Sequence, residues 1–216
     1  MVDKVQSLVA RARLVGIIRL DDLQDAVAIA RALLDAGVKV LEFTLSNPAA
    51  LEAIVAVRAA MDVFNSDEAA IGLGSVRSID EVDRAIAAGA QFIVTPITRP
   101  AVIEHCVAAG VPIMAGAYTP TEIATAWDAG ASFVKIFPAR NLGPSYVKDV
   151  LAPMPFLRLM PTGGIDLNNM QAYFDAGAVA VGVGGNIIDA RAVAARDWRQ
   201  VTAVAAQYVE RAQPKL

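Results

Sequence analysis

Histidine and cysteine are nearly missing from these 216 residues, which hold one of each, His105 and Cys106. A single histidine rules out a multi-histidine metal centre, leaving only a carboxylate site, and no carboxylate cluster is visible along the chain. A single cysteine rules out an internal disulfide. The two residues adjoin in a segment that reads as helix, where neighbouring side chains point about 100° apart and cannot meet as nucleophile and base. They are read as structural. Long apolar runs are absent too: the 56% hydrophobic content is mostly alanine and valine broken by charges, and no stretch reaches the roughly 18 residues of a membrane span. There is no basic block, and a net charge of −3 argues against nucleic acid or an anionic membrane as partner. Met1-Val2-Asp3-Lys4-Val5-Gln6 is not a basic segment leading into an apolar one, so a soluble, cytoplasmic chain is expected. A G-x-G-x-x-G turn is also lacking, since Arg19-Leu20-Asp21-Asp22 follows the first apolar segment, which disfavours an open dinucleotide-binding sheet.

What the chain does have is a recurring Ala-Gly pair, at Ala36-Gly37, Ala88-Gly89, Ala109-Gly110, Ala129-Gly130 and Ala176-Gly177. Each closes a helical pattern and opens a short apolar run, as a C′ glycine does at an αβ junction. Eight candidate strands result, at 14–19, 38–45, 70–75, 91–95, 111–116, 132–137, 157–162 and 178–183. Segments between them, such as 22–36 and 121–130, carry apolar residues at helical spacing behind polar starts. The expected fold is α/β, a single-domain (β/α)8 TIM barrel over residues 1–216, a length within that fold's usual range.

In such a barrel the chemistry sits at the C-terminal ends of the strands. Lys135 lies within Phe133-Val134-Lys135-Ile136-Phe137-Pro138, an apolar strand where an ammonium needs a reason. Burial lowers a lysine pKa, and a neutral amine attacks carbonyl carbon. A lone lysine can equally bury its stem and snorkel its charge to the strand end. Period-2 alternation places Val40, Glu42 and Thr44 on one face of strand two, and Phe133, Lys135 and Phe137 on one face of strand six. Strands two and six are opposite in an eight-stranded barrel, so Glu42 and Lys135 face each other if both sets point inward. A buried salt bridge is the bland reading. The chemical one is a class I aldolase pair, in which the lysine forms an imine with a ketone and the carboxylate moves the proton of the enamine step. The enamine is its own electron sink, so no metal and no cofactor are called for.

Two glycine pairs, Gly163-Gly164 after strand seven and Gly184-Gly185 before Asn186 after strand eight, stand where barrels of this kind bind phosphate through backbone N–H groups. A phosphorylated small molecule is the expected substrate. Arg19, Arg99 and Arg140 also fall beyond strand ends; each could hold an anion or be an ordinary loop residue, and Arg19, placed on strand one itself, is favoured.

The ordered segments Leu41-Glu42-Phe43-Thr44-Leu45, Gly72-Leu73-Gly74-Ser75-Val76, Thr119-Pro120-Thr121-Glu122, Lys135-Ile136-Phe137-Pro138-Ala139 and Pro161-Thr162-Gly163-Gly164-Ile165 resemble the pyruvate-dependent aldolases of 2-keto-3-deoxy-6-phosphogluconate and 4-hydroxy-2-oxoglutarate. The likeness runs from about Val15 to Ile188. It implies that Lys135 is the Schiff-base lysine and Glu42 the general acid/base. Phe137 would wall the pyruvate pocket, with Ser75 and Thr162 holding the pyruvyl carboxylate and Pro96 counted among the substrate-binding residues. Gly163, Gly164, Gly184, Gly185 and Asn186 would take phosphate, and pyruvate would be a product. The family is commonly a homotrimer. Many members place an arginine four residues after the glutamate, whereas this chain has Ser46 followed by Asn47-Pro48, as the phosphogalactonate-cleaving branch has a small polar residue before proline. Arg19 is the candidate replacement cation. A phosphosugar isomerase or epimerase barrel, and a barrel that only binds a ligand, are the rival readings.

Overall fold

The computed structural model describes residues 2–66 and 68–214. A first helix, α1 (Val2–Ala12), leads into alternating strands and helices: β1 (Leu14–Ile18), α2 (Ala26–Asp35), β2 (Val40–Thr44), α3 (Ala50–Ala60), β3 (Ala70–Gly74) and α4 (Ile79–Ala87). The series continues with β4 (Ile93–Val94), α5 (Pro100–Ala108), β5 (Ile113–Ala117), α6 (Pro120–Asp128) and β6 (Phe133–Ile136). It ends with α7 (Gly143–Leu151), β7 (Leu159–Pro161), α8 (Met170–Asp175), β8 (Val181–Val183), α9 (Ala190–Ala194) and α10 (Trp198–Ala212). The expected junctions form. At all five Ala-Gly pairs the alanine is the helix C-cap in αR and the glycine takes a positive φ, from +68° to +101°.

All strands run parallel in the order β7-β6-β5-β4-β3-β2-β1-β8, and the ring closes where Thr162 bridges Gly182 and Val179 N–H donates to Leu159 O at 3.0 Å. The (β/α)8 barrel expected from the sequence is therefore present, with β2 and β6 four strands apart in either direction. Alternation sorts the side chains into two cores. Leu41, Phe43, Val134 and Ile136 pack outward against the helices, while Val15, Val40, Phe92, Phe133 and Met160 fill the interior together with Val5, Leu8 and Val9. Those last three come from α1, which plugs the N-terminal floor of the barrel. Gln6 ties the plug down, donating to Ser132 Oγ and accepting from Arg158.

Several strands are shorter than expected. The run 91–95 is regular strand only at Ile93–Val94, and side chains join the backbone bonds at both ends. Gln91 Oε1 accepts from Ile71 N–H and Thr95 Oγ1 from Gly116 N–H, each at 3.0 Å. β1 stops at Ile18, so Arg19 lies one residue beyond the strand rather than on it. Thr44 Oγ1 donates to Ile18 O, and the carboxamide of Asn47 donates to Leu20 O and Asp21 O at 3.0 and 2.9 Å, drawing the chain off the sheet.

Candidate active site

Glu42 and Lys135 are both nearly inaccessible, at 1% and 3% relative exposure, and Lys135 Nζ lies 3.9 Å from Glu42 Oε1 across the barrel. That is close enough for strong attraction but too long for a hydrogen bond. Neither carboxylate oxygen of Glu42 has a hydrogen-bond partner. A structural salt bridge would close this gap and saturate the carboxylate, since a half-satisfied buried charge is costly. The pair instead leaves the acceptor capacity of the Glu42 carboxylate unused. Desolvation dominates both protonation equilibria. It raises the Glu42 pKa against the opposing pull of Lys135 and Arg19, and it lowers that of Lys135, with Glu42 opposing and Arg19 reinforcing the shift. Both effects favour the neutral amine and the neutral acid, the forms suited to attack on a carbonyl and to proton donation.

The backbone around the pair is pared away to admit it. A Cβ on Gly74 would fall on the Glu42 carboxyl group, and one on Gly116 would strike the Pro96 carbonyl. Phe137 stands over the lysine, with Nζ 5.2 Å from its ring centroid. Thr162 is buried beside Gly182, whose missing side chain leaves room for it.

Above the pair, at the C-terminal ends of the strands, a cleft of about 240 Å³ is lined by Arg19, Phe137, Thr162, Gly163, Gly164, Gly184, Gly185 and Asn186, together with Arg140 and three apolar or glycine positions. Nine residues singled out in the sequence, Arg140 among them, thus share one cavity. Ser75 and Pro96 do not line it. Ser75 follows β3 with φ +65°, a left-handed conformation that a non-glycine residue rarely takes and that tends to mark functional loops. The side chain of Asn186 is committed elsewhere, since its Nδ2 donates to Ile165 O at 2.8 Å and so joins the two glycine loops. Arg99 is not in the cleft; it bonds the Arg77 carbonyl at 3.0 Å. His105 pairs with Asp83 at 2.7 Å on the outside of the barrel, and burial pushes the Cys106 thiol up to about 12, consistent with structural roles for both. A larger groove of about 720 Å³ runs between α2 and α10 on the outside of the barrel and is lined by neither glycine loop.

Two residues noted in the sequence only as a departure from the family pattern also shape the site. Ser46, standing where an arginine was missed, shares a 2.8 Å hydrogen bond with Thr44 Oγ1. Asn47 anchors the segment that follows Arg19, and only the three-dimensional approach of the β1 and β2 loops reveals it.

A family model described as KDPG and KHG aldolase matches residues 5–204. The chain belongs to this aldolase family. The 2-dehydro-3-deoxy-phosphogluconate aldolase of Treponema pallidum is 39% identical over 202 residues, 93% of each chain. The 2-dehydro-3-deoxy-6-phosphogalactonate aldolase of Escherichia coli K12 is 33% identical, covering 93% of this chain and 96% of its own. Among solved structures, a KDPG aldolase from Legionella pneumophila, described with pyruvate captured as a covalent carbinolamine intermediate, is similar at TM-score 0.82 and 25% identity, over 93% of this chain and 96% of the other. The protein is thus a carbon–carbon lyase.

In this aldolase Arg19 is exposed at the rim of the cleft and close enough to the pair to bias both pKa values. Removing a charge-assisted hydrogen bond to an anion costs about 1.5 to 3 kcal/mol, so Arg19→Ala is expected to lower kcat/KM by roughly tenfold to a hundredfold. Deuterium exchange at the methyl group of free pyruvate, followed by NMR, locates the contact. A loss there places Arg19 on the pyruvyl carboxylate; loss confined to phosphorylated substrate places it on the phosphate. Normal kinetics in both assays would return Arg19 to the solvated rim.

Proposed function

We propose that this chain is a class I, Schiff-base aldolase that cleaves a 2-keto-3-deoxy-6-phospho sugar acid, such as 2-keto-3-deoxy-6-phosphogluconate, into pyruvate and glyceraldehyde 3-phosphate. The observation that carries this reading is the buried Lys135 amine held 3.9 Å from a Glu42 carboxyl group that has no other partner. The neutral amine adds to the C2 ketone, and the carbinolamine, its hydroxyl protonated by the neutral Glu42 acid, loses water to give an iminium ion and leaves Glu42 as carboxylate. Glu42, as carboxylate, removes the proton of the C4 hydroxyl. The C3–C4 bond then breaks with its electron pair passing into the enamine, and the aldehyde leaves. The protonated Glu42 returns its proton to C3, and hydrolysis of the pyruvyl imine frees Lys135.

Thr162, Ser75, Pro96 and Phe137 are proposed as the surroundings of the pyruvyl end, with the glycine loops at 163–164 and 184–186 taking the phosphate. In support, the backbone N–H groups of Gly164, Gly185 and Asn186 donate to no group among the described residues, whereas that of Gly163 is used in the bridge to β8. On the family likeness alone we take the working form to be a homotrimer in the cytoplasm.

A pyruvate-release assay over a panel of 2-keto-3-deoxy acids is the test. Phosphogluconate and phosphogalactonate forms, their unphosphorylated counterparts and 4-hydroxy-2-oxoglutarate would be compared. At least one 6-phosphorylated acid is expected to exceed its unphosphorylated counterpart in kcat/KM by roughly a hundredfold, the scale of one or two charge-assisted contacts. Pyruvate from none of them would end the proposal.

A further inference from the structure

We infer that Arg140 is a second cation of the mouth cleft, set there to grip the distal phosphate of the substrate and to determine the preference for a dianion at that end. The inference rests on the reading of this cleft as the substrate's phosphate end.

The lining of the cleft contains two guanidinium groups, Arg19 and Arg140, and no carboxylate. Among the described residues neither makes a hydrogen bond or an ion pair. Two positive charges without an ion-pair partner line one small cavity of a chain whose net charge is −3, which favours entry of an anion. A carboxylate brings one negative charge, whereas a phosphomonoester brings about 1.5 to 2 near neutral pH and three acceptor oxygens, matching two planar donors.

Arg140 is also held in place for this task. It sits on a short turn, residues 139–141, whose backbone is fastened from three sides. Ala139 N–H donates to Thr162 O at 2.8 Å, Leu142 N–H donates to Ala139 O at 3.0 Å, and the Tyr173 hydroxyl donates to Ala139 O at 3.2 Å. Its stem lies against the glycine loop itself. A Cβ on Gly164, which has φ +84°, would come within 2.5 Å of Arg140 Cβ and 3.3 Å of Nε. Gly164 is therefore needed twice, for its left-handed backbone and for the room it leaves Arg140. The unpaired amide of Gly164 belongs to the same loop. A fixed N–H group and an arginine at one point form an anion clamp whose planar fork a lysine would reproduce only as a point charge.

Inorganic phosphate is the direct probe, titrated by calorimetry and as a competitive inhibitor of cleavage, with the wild type compared to Arg140→Ala and Arg140→Lys. Arg140→Ala is expected to weaken phosphate binding by roughly tenfold to a hundredfold, through KM more than kcat on a phosphorylated substrate, with Arg140→Lys recovering part of the loss. The ratio of kcat/KM between a phosphorylated acid and its unphosphorylated analogue should fall by a similar factor. Because Arg140 is exposed, the variants are expected to fold, and circular dichroism checks it. Unchanged phosphate affinity in Arg140→Ala, or equal losses on both substrates, overturns the inference. If instead the wild type cleaves no keto acid, the proposed function fails, while phosphate titration of the wild type and Arg140→Ala still decides the role of Arg140.

Discussion

Replacing Lys135 with methionine is expected to lower turnover by roughly 10⁴-fold or more, the scale seen when a covalent nucleophile is removed. Methionine keeps most of the volume of the lysine stem in a strand that is buried throughout, so the packing survives while the amine is lost. The loss has a chemical signature that unfolding would not mimic. With pyruvate and borohydride, the wild-type protein should acquire one reduced adduct, located by peptide mass mapping on Lys135, because hydride fixes an imine and nothing else in this cycle. The methionine variant should acquire none. An adduct on Lys39 or Lys148, or trapping that persists in the variant, would remove Lys135 from the mechanism. The pH dependence follows from the same burial. Since desolvation holds the lysine pKa below its ordinary value, the neutral amine persists well into the range where a free lysine is protonated. As pH falls through that lowered value the ammonium forms, and the trapping rate must drop on the acid side.

The second large effect concerns Glu42. A Glu42→Gln variant keeps the shape of the side chain and should still form the imine, yet turnover is expected to fall by about 10² to 10⁴-fold, the usual share of a positioned acid/base. The two halves of that statement are read separately. Borohydride trapping reports imine formation, and deuterium exchange at the pyruvate methyl group reports the proton step. Trapping retained with exchange lost is the expected pattern. Exchange at the wild-type rate would show that another group moves the proton. Loss of trapping as well would mean that imine formation itself requires the Glu42 acid, since removing its charge leaves Lys135 more neutral rather than less.

Much of this was legible in the sequence because it depends on local rules. Period-2 alternation around Glu42 and Lys135 assigned both to the interior, and the Ala-Gly punctuation marked five of the αβ junctions, because a C′ glycine is a backbone requirement rather than a tertiary preference. The glycine pairs stood out for the same reason. Contacts between distant loops were not legible. Nothing in Ser46-Asn47-Pro48 says that the asparagine reaches the carbonyls of Leu20 and Asp21, so the segment read only as a missing arginine. Asn186 looked like a phosphate donor until its amide was found on Ile165. Arg140 could not be told from Arg99 by position beyond a strand; one lines the cleft and the other bonds a neighbouring loop. The helix before residue 14 has an unremarkable amphipathic pattern, and its place under the barrel follows only from the closed ring above it.

That helix has a kinetic consequence. With Val5, Leu8 and Val9 packed into the floor among the described residues, the proposed reaction at Lys135 is approached from the cleft at the strand ends. The pyruvyl fragment, bonded to the lysine, lies deepest, and the aldehyde fragment lies between it and the exit. Departure is then forced into one order, aldehyde first and pyruvate second. The water that hydrolyses the last imine must follow the aldehyde's path inward, after that fragment has cleared the way.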